Sequence, residues 1–309
     1  IILRTTNGGN TWTTQSSGVS NWLNGVSFAD LNNGTVVGDG GIILRTTNGG
    51  NTWTTQSSGT SNDLDGVSFT DSNNGIAVGS DGIILRTTTG GNTWIPQVSG
   101  TTIFLKAISF IDSNNGTAVG GYGIILRTTD GGNTWSLQLN GSSYSFNAVS
   151  FTDSSNGNVV GGGGTILRTT NGGNTWISQP SGTSNDLYGV SFTDSNNGTA
   201  VGWGGIILRT TNGGNTWTSQ VSGTTLGLNA VSFTNSNNGT AVGNSGTILK
   251  TTNGGSTWTS QSSGTLHSLF GVSFSDSNYG TAVGDYGTIL RTTNGGSSWF
   301  FQSSGTTIS

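Results

Sequence analysis

The nine residues RTTNGGNTW at 45–53 decide how this chain folds, because they return, unchanged or nearly so, at 4–12, 127–135, 168–176 and 209–217. The cation of the phrase stands at Arg4, Arg45, Arg86, Arg127, Arg168, Arg209, Lys250 and Arg291, and each step is 41 residues. A fixed period of that size means a repeat architecture. No insertion breaks the period, so residues 1–309 read as one repeat domain without a linker.

Within one period, residues 66–106 divide into four short strands. "GVSF" (66–69) alternates apolar and polar, "IAVG" (76–79) is an apolar run, and "IILRTT" (83–88) and "NTWIPQ" (92–97) follow. Turn-forming "TDSNNG", "SDG" and "TGG" separate them. Short strands bounded by Gly, Asn and Asp, with no 3.6-residue pattern, predict an all-β chain. Antiparallel four-stranded units of 40–50 residues predict propeller blades, with an open β-repeat array as the alternative. We label the strands A to D, with A expected nearest the axis.

Composition agrees. The chain has 55 Gly, two Pro, no Cys and no Met, and Glu is absent. Only 7% of residues are charged, against roughly 25% in ordinary domains. Ten Trp and twelve Phe, with regular Ile, Leu and Val, supply a core that a disordered chain lacks. The net charge of −4 gives no nucleic-acid footprint, and no apolar run is long enough for a membrane span. The chain starts without Met inside a repeat, which reads as a processed piece or a fragment.

The quoted phrase is a C–D hairpin turn. Asn and Gly accept left-handed backbone angles, and Thr hydroxyls satisfy turn amides. Its tryptophan recurs as Trp12, Trp53, Trp94, Trp135, Trp176, Trp217, Trp258 and Trp299, which is core behaviour rather than a binding platform. Thr-x-Asn-Gly-Gly-x-Thr-Trp resembles the Asp-box, or bacterial neuraminidase repeat. "ILRTTNGGNTW" followed by "GVSFTDSNNGTAVG" resembles photosystem II assembly factor-like propellers of that repeat class. The Asp position is usually Asn here; only Asp130 keeps the acid, and Thr89 stands there once. The resemblance implies a seven-bladed propeller, often exported, among relatives that include sialidases and binders of proteins or sugars.

No catalytic residue is assigned. A sialidase site needs converging arginines and a Tyr nucleophile served by an acid, commonly Glu, which is missing. Eight of nine cations form a ring at one strand-C position, and only Lys106 lies outside it. His267 is the single histidine, so neither a metal site nor a cofactor is expected. Asp63, Asp65 and Asp186 could pair as glycosidase carboxylates, but loop aspartates more often cap turns. "DSNNG" lacks the ligand set of a calcium loop. Asn-Gly-Thr at 33, 115, 197 and 238, and Asn140-Gly-Ser, match glycosylation acceptors but arise from the turn phrase itself.

The ring of cations faces a row of A–B turn residues: Asp30, Asp71, Asp112, Asp153, Asp194, Asn235 and Asp276. The unit with Asn235 also carries Lys250, so Arg–Asp clasps are expected.

The repeats differ from one another at two places, the D–A link and the residues after strand B. An up-and-down blade brings both to one side. That side gathers Trp22, Phe104, Lys106, Tyr122, Tyr188, Trp203, Phe270 and Tyr286, with Tyr144 and His267 beside them. Aromatics with Asp and Asn suit a protein or glycan contact.

The half-units do not match in number. C–D occurs eight times and A–B seven, so one C–D hairpin (residues 1–17) precedes seven full repeats at 24–303. If the first hairpin completes the last blade, the final hairpin at 290–302 is the surplus instead, and either one could associate with another chain; alternatively the extra half marks a cut through a longer tandem array or an eighth blade lacking its inner strands. The expectation is a non-enzymatic, exported structural or adhesive propeller of a bacterial surface that self-associates through its terminal hairpins. The alternative is a carbohydrate- or protein-binding propeller using the variable side.

Overall fold

Each 41-residue unit folds into one antiparallel sheet in the order A–B–C–D, within residues 1–304, which the computed structural model describes. In the second blade A is Leu64–Phe69, B Gly75–Gly79, C Ile84–Thr87 and D Ile95–Gln97. Seven blades occupy residues 23–56, 64–97, 105–137, 146–179, 187–220, 228–261 and 269–301. The chain is a seven-bladed β-propeller with an additional two-stranded sheet, Ile2–Arg4 and Thr13–Gln15.

The register follows from the apolar pattern. Val67 stands opposite Ala77, and Ala77 opposite Leu85, so small and branched side chains line one face of the sheet. Pro96 lies on strand D, opposite Leu85, at the outer edge where no further ladder bond is needed. The tryptophan of the repeat falls just before strand D, not inside it as the pattern suggested. A single 3₁₀ turn, Ser80–Gly82, connects B to C.

The core lies between successive blades. Val37 and Ile43 of the first blade pack with Leu64, Ala77, Leu85 and Trp94 of the second. Val242 and Ile248 of the sixth meet Leu269, Ala282, Leu290 and Trp299 of the seventh in the same way. In both pairs the earlier blade shows a Val/Ile face to the later one, which answers with a Leu/Ala/Leu/Trp face. Phe69 meets Trp94 edge to face, with ring centroids 6.0 Å apart, and the other six full blades repeat a Phe–Trp pair of this kind.

Two compact units divide the chain. One comprises Ile1–Arg4, Gln15–Gly157 and Thr169–Ile177; the other comprises Thr5–Thr14, Asn158–Arg168 and the chain from Ser178 onward. Within the first unit, neighbouring A strands pack against one another from Leu23–Phe28 to Phe146–Phe151. Within the second, they do so from Leu187–Phe192 to Leu269–Phe274. The seventh blade uses its own C and D strands, Thr288–Thr292 and Phe300–Phe301. The surplus hairpin is therefore the N-terminal one, and it stands as its own sheet.

Candidate functional site

The two variable places of each repeat are tied together by backbone. Ser80 N–H donates to Asp63 O at 2.9 Å in the second blade, Gly121 N–H to Phe104 O at 3.0 Å in the third, and Trp203 N–H to Asp186 O at 2.8 Å in the fifth. The glycine that ends strand B makes this possible. A Cβ at Gly79 would lie 1.9 Å from Asp63 O, so any side chain there pushes the link away.

Strand A begins earlier than the sequence pattern indicated, and this moves four candidate residues off the link. A β-bulge separates Leu64 from Gly66, Leu105 from Ala107, Leu187 from Gly189 and Leu269 from Gly271. The extra residues are Asp65, Lys106, Tyr188 and Phe270. The physical cause is the leucine, wholly buried in all four blades, which anchors the strand before the bulge. A bulge re-aims one side chain out of the ladder, so the most variable position of strand A is presented away from the pairing.

In the first unit the bulge residues interact with the next A strand and with the B–C turn of their own blade. Lys106 Nζ donates to Asn147 Oδ1 at 2.7 Å, and Asn24 Nδ2 donates to Asp39 Oδ1 at 2.8 Å and to Leu64 O at 3.2 Å. Burial pushes the Asp65 carboxyl above its usual value, and the charges of Asp63 and Asp39 add to that. Phe104 lies across the backbone of Gly121, where a Cβ would come within 2.5 Å of its ring. Trp22, Tyr122 and Tyr144 are exposed.

In the second unit, the His267 and Tyr286 rings meet at 4.8 Å between centroids with their planes tilted by 44°, and His267 Nδ1 is 2.9 Å from Thr288 Oγ1. Trp203 and Phe270 are exposed, with the Trp203 ring beside Gly227. Tyr188 is half-buried, and burial followed by the Asp186 charge raises its phenol.

The centre of each B–C turn has a left-handed backbone. Glycine supplies it at Gly40, Gly163 and Gly204, whereas Asp81 holds φ 53°, Tyr122 φ 49°, Ser245 φ 52° and Tyr286 φ 55°. A side chain in that region costs about 1–2 kcal/mol. Both tyrosine rings are nevertheless extended into solvent, 73% and 59% exposed.

Sequence reasoning missed the asparagines Asn24 and Asn229 at bulges and Asn147 at the same place in its strand. Their signal was their alignment with Asp65, Lys106, Tyr188 and Phe270. It also missed the work of Asp63 and Asp186, whose Oδ1 atoms accept from Gly40 N–H and Gly163 N–H at 2.8 Å in the preceding blade's turn.

The expected Arg–Asp clasp is corrected by the geometry. Arg86, Arg127 and Arg168 donate from Nε to Gly131 O, Gly172 O and Gly213 O at 2.7–2.8 Å, and Arg45 and Arg209 do likewise with Gly90 and Gly254. Each acceptor is the first glycine of the next C–D turn. The surplus hairpin belongs to the same series, since Arg291 donates to Gly8 O and Arg4 to Gly49 O. Lys250, lacking the fork, reaches Ser297 Oγ instead. The aspartates cap their own turns; Asp71 Oδ1 takes Asn73 N–H at 2.7 Å and Asn74 N–H at 2.9 Å. The second Asp71 oxygen is also used within the turn, Oδ2 accepting from Asn74 Nδ2 at 2.8 Å.

A propeller of Asp-box hairpins, with divergent loops gathered at the link end of every blade, defines the class: a repeat scaffold that displays variable side chains. The family model described as photosynthesis system II assembly factor YCF48 matches residues 4–103, 51–140, 96–224 and 178–264, and the chain belongs to that family. No curated protein sequence matches it. Among solved structures it is similar to YCF48 bound to D1 peptide, at 22% identity and TM-score 0.69, covering 89% of this chain and 92% of that one. YCF48 from Cyanidioschyzon merolae is similar at 21% identity and TM-score 0.70, over 92% and 98%. The GH74 xyloglucanase from Xanthomonas campestris shares the fold at 14% identity and TM-score 0.69, over 98% of this chain and 56% of that one.

Proposed function

We propose that this chain is a non-enzymatic, protein-binding propeller that receives an extended peptide on the link and B–C turn side of its blades. One observation carries the reading. Four of the B–C turns keep a non-glycine residue, Asp81, Tyr122, Ser245 or Tyr286, in a backbone conformation that the equivalent glycines adopt without strain, and the two tyrosines among them leave their rings in solvent. Strain kept where repeats diverge is a mark of function rather than of folding. Exposed Trp203 and Phe270, with the acid and amide groups at the bulges, give aromatic anchors and hydrogen-bond partners suited to a peptide.

Family membership favours this alternative over the adhesive role that the surplus hairpin suggested. A relative binds D1 peptide, so peptide of that kind is the first ligand to try. A non-catalytic role is supported by Asp63 and Asp186, whose carboxylates are engaged with backbone amides rather than held open toward a substrate.

The test is titration of the full chain with D1 peptide and with a panel of extended peptides, followed by calorimetry. Tyr122→Ala, Trp203→Ala and Tyr286→Ala should each weaken binding by about tenfold or more while leaving the melting temperature near wild type. Uptake of a glycan instead of peptide, lost in the same variants, would move the ligand class to carbohydrate. Binding indifferent to all three substitutions sinks the proposal.

A further inference from the structure

Asn140-Gly141 stands in the link between the third and fourth blades, where Ser58, Ser99, Ser181, Ser222 and Ser263 precede the glycine of the other links. Those serines bond within their own link, as Ser58 Oγ donates to Thr60 O at 3.1 Å. Asn140 reaches further. Its Oδ1 accepts from Ser142 N–H at 2.9 Å, and its Nδ2 donates to Gly123 O at 2.8 Å and to Gln138 O at 3.3 Å. Gly123 ends the B–C turn that has Tyr122 at its centre. The link presses on that turn, since a Cβ at Gly123 would lie 2.1 Å from Ser142 O.

An asparagine followed by glycine sets an amide carbon beside a backbone nitrogen that can attack it. Elsewhere in the blades that attack is restrained. In the C–D turns the nitrogen is engaged: Gly49, Gly172, Gly213, Gly254 and Gly295 each donate N–H to an A–B turn carbonyl at 2.8–2.9 Å. In the A–B turns the amide is engaged and the glycine buried, as Asn74 Nδ2 donates to Asp71 Oδ2 at 2.8 Å and Gly75 opens strand B. Asn24 is held in strand A by its bonds to Asp39 and Leu64. Gly141 is exposed, and among the described residues its N–H has no hydrogen-bond partner. Nothing stands within 4 Å of where its Cβ would be, so the nitrogen is open to approach. The turn closed by Oδ1 onto Ser142 N–H folds the Asn140 amide back over the Gly141 nitrogen. That same N–H meets the oxygen that gathers charge when the carbon is attacked.

We infer that Asn140-Gly141 is a site of spontaneous deamidation that unfastens the Tyr122 turn. Gly141 N gives its proton to solvent and bonds to Asn140 Cγ; the Cγ–Nδ2 bond breaks, and Nδ2 leaves as ammonia with a proton taken from water. Water then opens the cyclic imide, leaving aspartate or isoaspartate at position 140. The product has no N–H to give Gly123 O, and it sets a negative charge against the carbonyl oxygens of Gly123 and Gln138. The turn that keeps Tyr122 at φ 49° loses its tie to the link. Weaker peptide uptake follows, a consequence that rests on the peptide site proposed above.

The experiment ages the full chain in warm, mildly alkaline buffer and maps its peptides by mass spectrometry at intervals. The fragment holding Asn140 should gain the mass of amide-to-acid conversion before any fragment holding an A–B or C–D turn of the seven blades, with isoaspartate among its products. Peptide affinity of the ageing wild type should fall in step, while that of Asn140→Ser keeps its starting value. Asn140→Asp is the readout that needs no ligand. It should speed hydrogen exchange of the Ile124 amide, which closes the turn on Gly121 O at 2.9 Å, by about threefold or more. A wild type that never binds peptide removes the peptide site alone, because conversion and exchange are still read. No conversion at Asn140, or earlier conversion in a blade turn, overturns the inference. So does an Ile124 exchange rate that Asn140→Asp leaves unchanged.

Discussion

At the scale of single residues, the Asp-box works here almost without Asp. Asn48 Oδ1 accepts from Thr52 N–H and Thr46 Oγ1 at 3.0 Å, and Asn48 Nδ2 donates to Thr52 Oγ1 at 2.9 Å. Asp130 keeps the first two bonds, and its Oδ2 accepts from Thr134 Oγ1 at 2.7 Å. The amide and the carboxylate are thus interchangeable because the threonine hydroxyl can rotate from acceptor to donor. The tryptophan that follows is less forgiving. Trp94 is 7% exposed and its Nε1 donates to Gly91 O at 3.2 Å. Trp94→Ala should cost about 3–5 kcal/mol in chemical denaturation, and a loss below 1 kcal/mol would show that the inter-blade core closes over the gap. Tyr122 runs the other way. Tyr122→Gly removes a left-handed non-glycine residue, a relief of about 1–2 kcal/mol offset by about 0.5–1 kcal/mol of glycine entropy. The variant should melt no lower than wild type yet bind peptide more weakly; a clear drop in melting temperature would make the ring a packing residue.

At the scale of elements, the blade was legible in the sequence because its period, its turn chemistry and its apolar alternation all agree. Strands B and C came out within a residue or so of where "IAVG" and "IILRTT" place them. The bulge at the start of strand A was not legible. It rests on Leu64 and its equivalents being buried by the previous blade, a tertiary contact that no local pattern encodes. The destination of the arginines was hidden for a related reason: the acceptor is a carbonyl one blade along, and carbonyls leave no trace in side-chain spelling. The candidate side chains were found because the repeats serve as their own comparison, while their strained backbone could be seen only in coordinates. Glycine 75 gives the test of blade packing. A Cβ there would lie 2.8 Å from the Phe69 ring. Gly75→Ala should cost about 1–3 kcal/mol, because the ring is held edge-on to Trp94 and cannot retreat. Equal stability of the two proteins in urea would show that the ring moves freely.

At the scale of the whole molecule, the turn aspartates act together although each is exposed. Side-chain donation from Asn74 to Asp71, then the amides of Asn73 and Asn74, hold the carboxyl below its usual 3.8. Asp112, Asp153 and Asp194 are held down in the same manner, their first support being Asn115, Asn156 and Asn197. A carboxyl whose folded value lies below its unfolded one binds fewer protons when folded. Its contribution is therefore complete above the unfolded value and is lost as pH falls through the folded one. Asp65 has the opposite sign: burial raises its carboxyl, so it favours folding as pH falls. It is one group against the repeated set, so the set prevails below about pH 4. The sixth blade shows what removes the dependence. Asn235 Oδ1 accepts from Asn237 N–H and Asn238 N–H at 2.9 Å each, with no proton to gain. The melting temperature should hold level from neutral pH to about pH 5 and then fall on further acidification. A variant carrying Asp71→Asn, Asp112→Asn, Asp153→Asn and Asp194→Asn should melt near wild type at pH 7 and lose less on going to pH 3. If its acid profile instead overlays that of the wild type, acid sensitivity originates elsewhere, with Asp30, Asp276 and the C–D turn's Asp130 the remaining lowered carboxyls to replace.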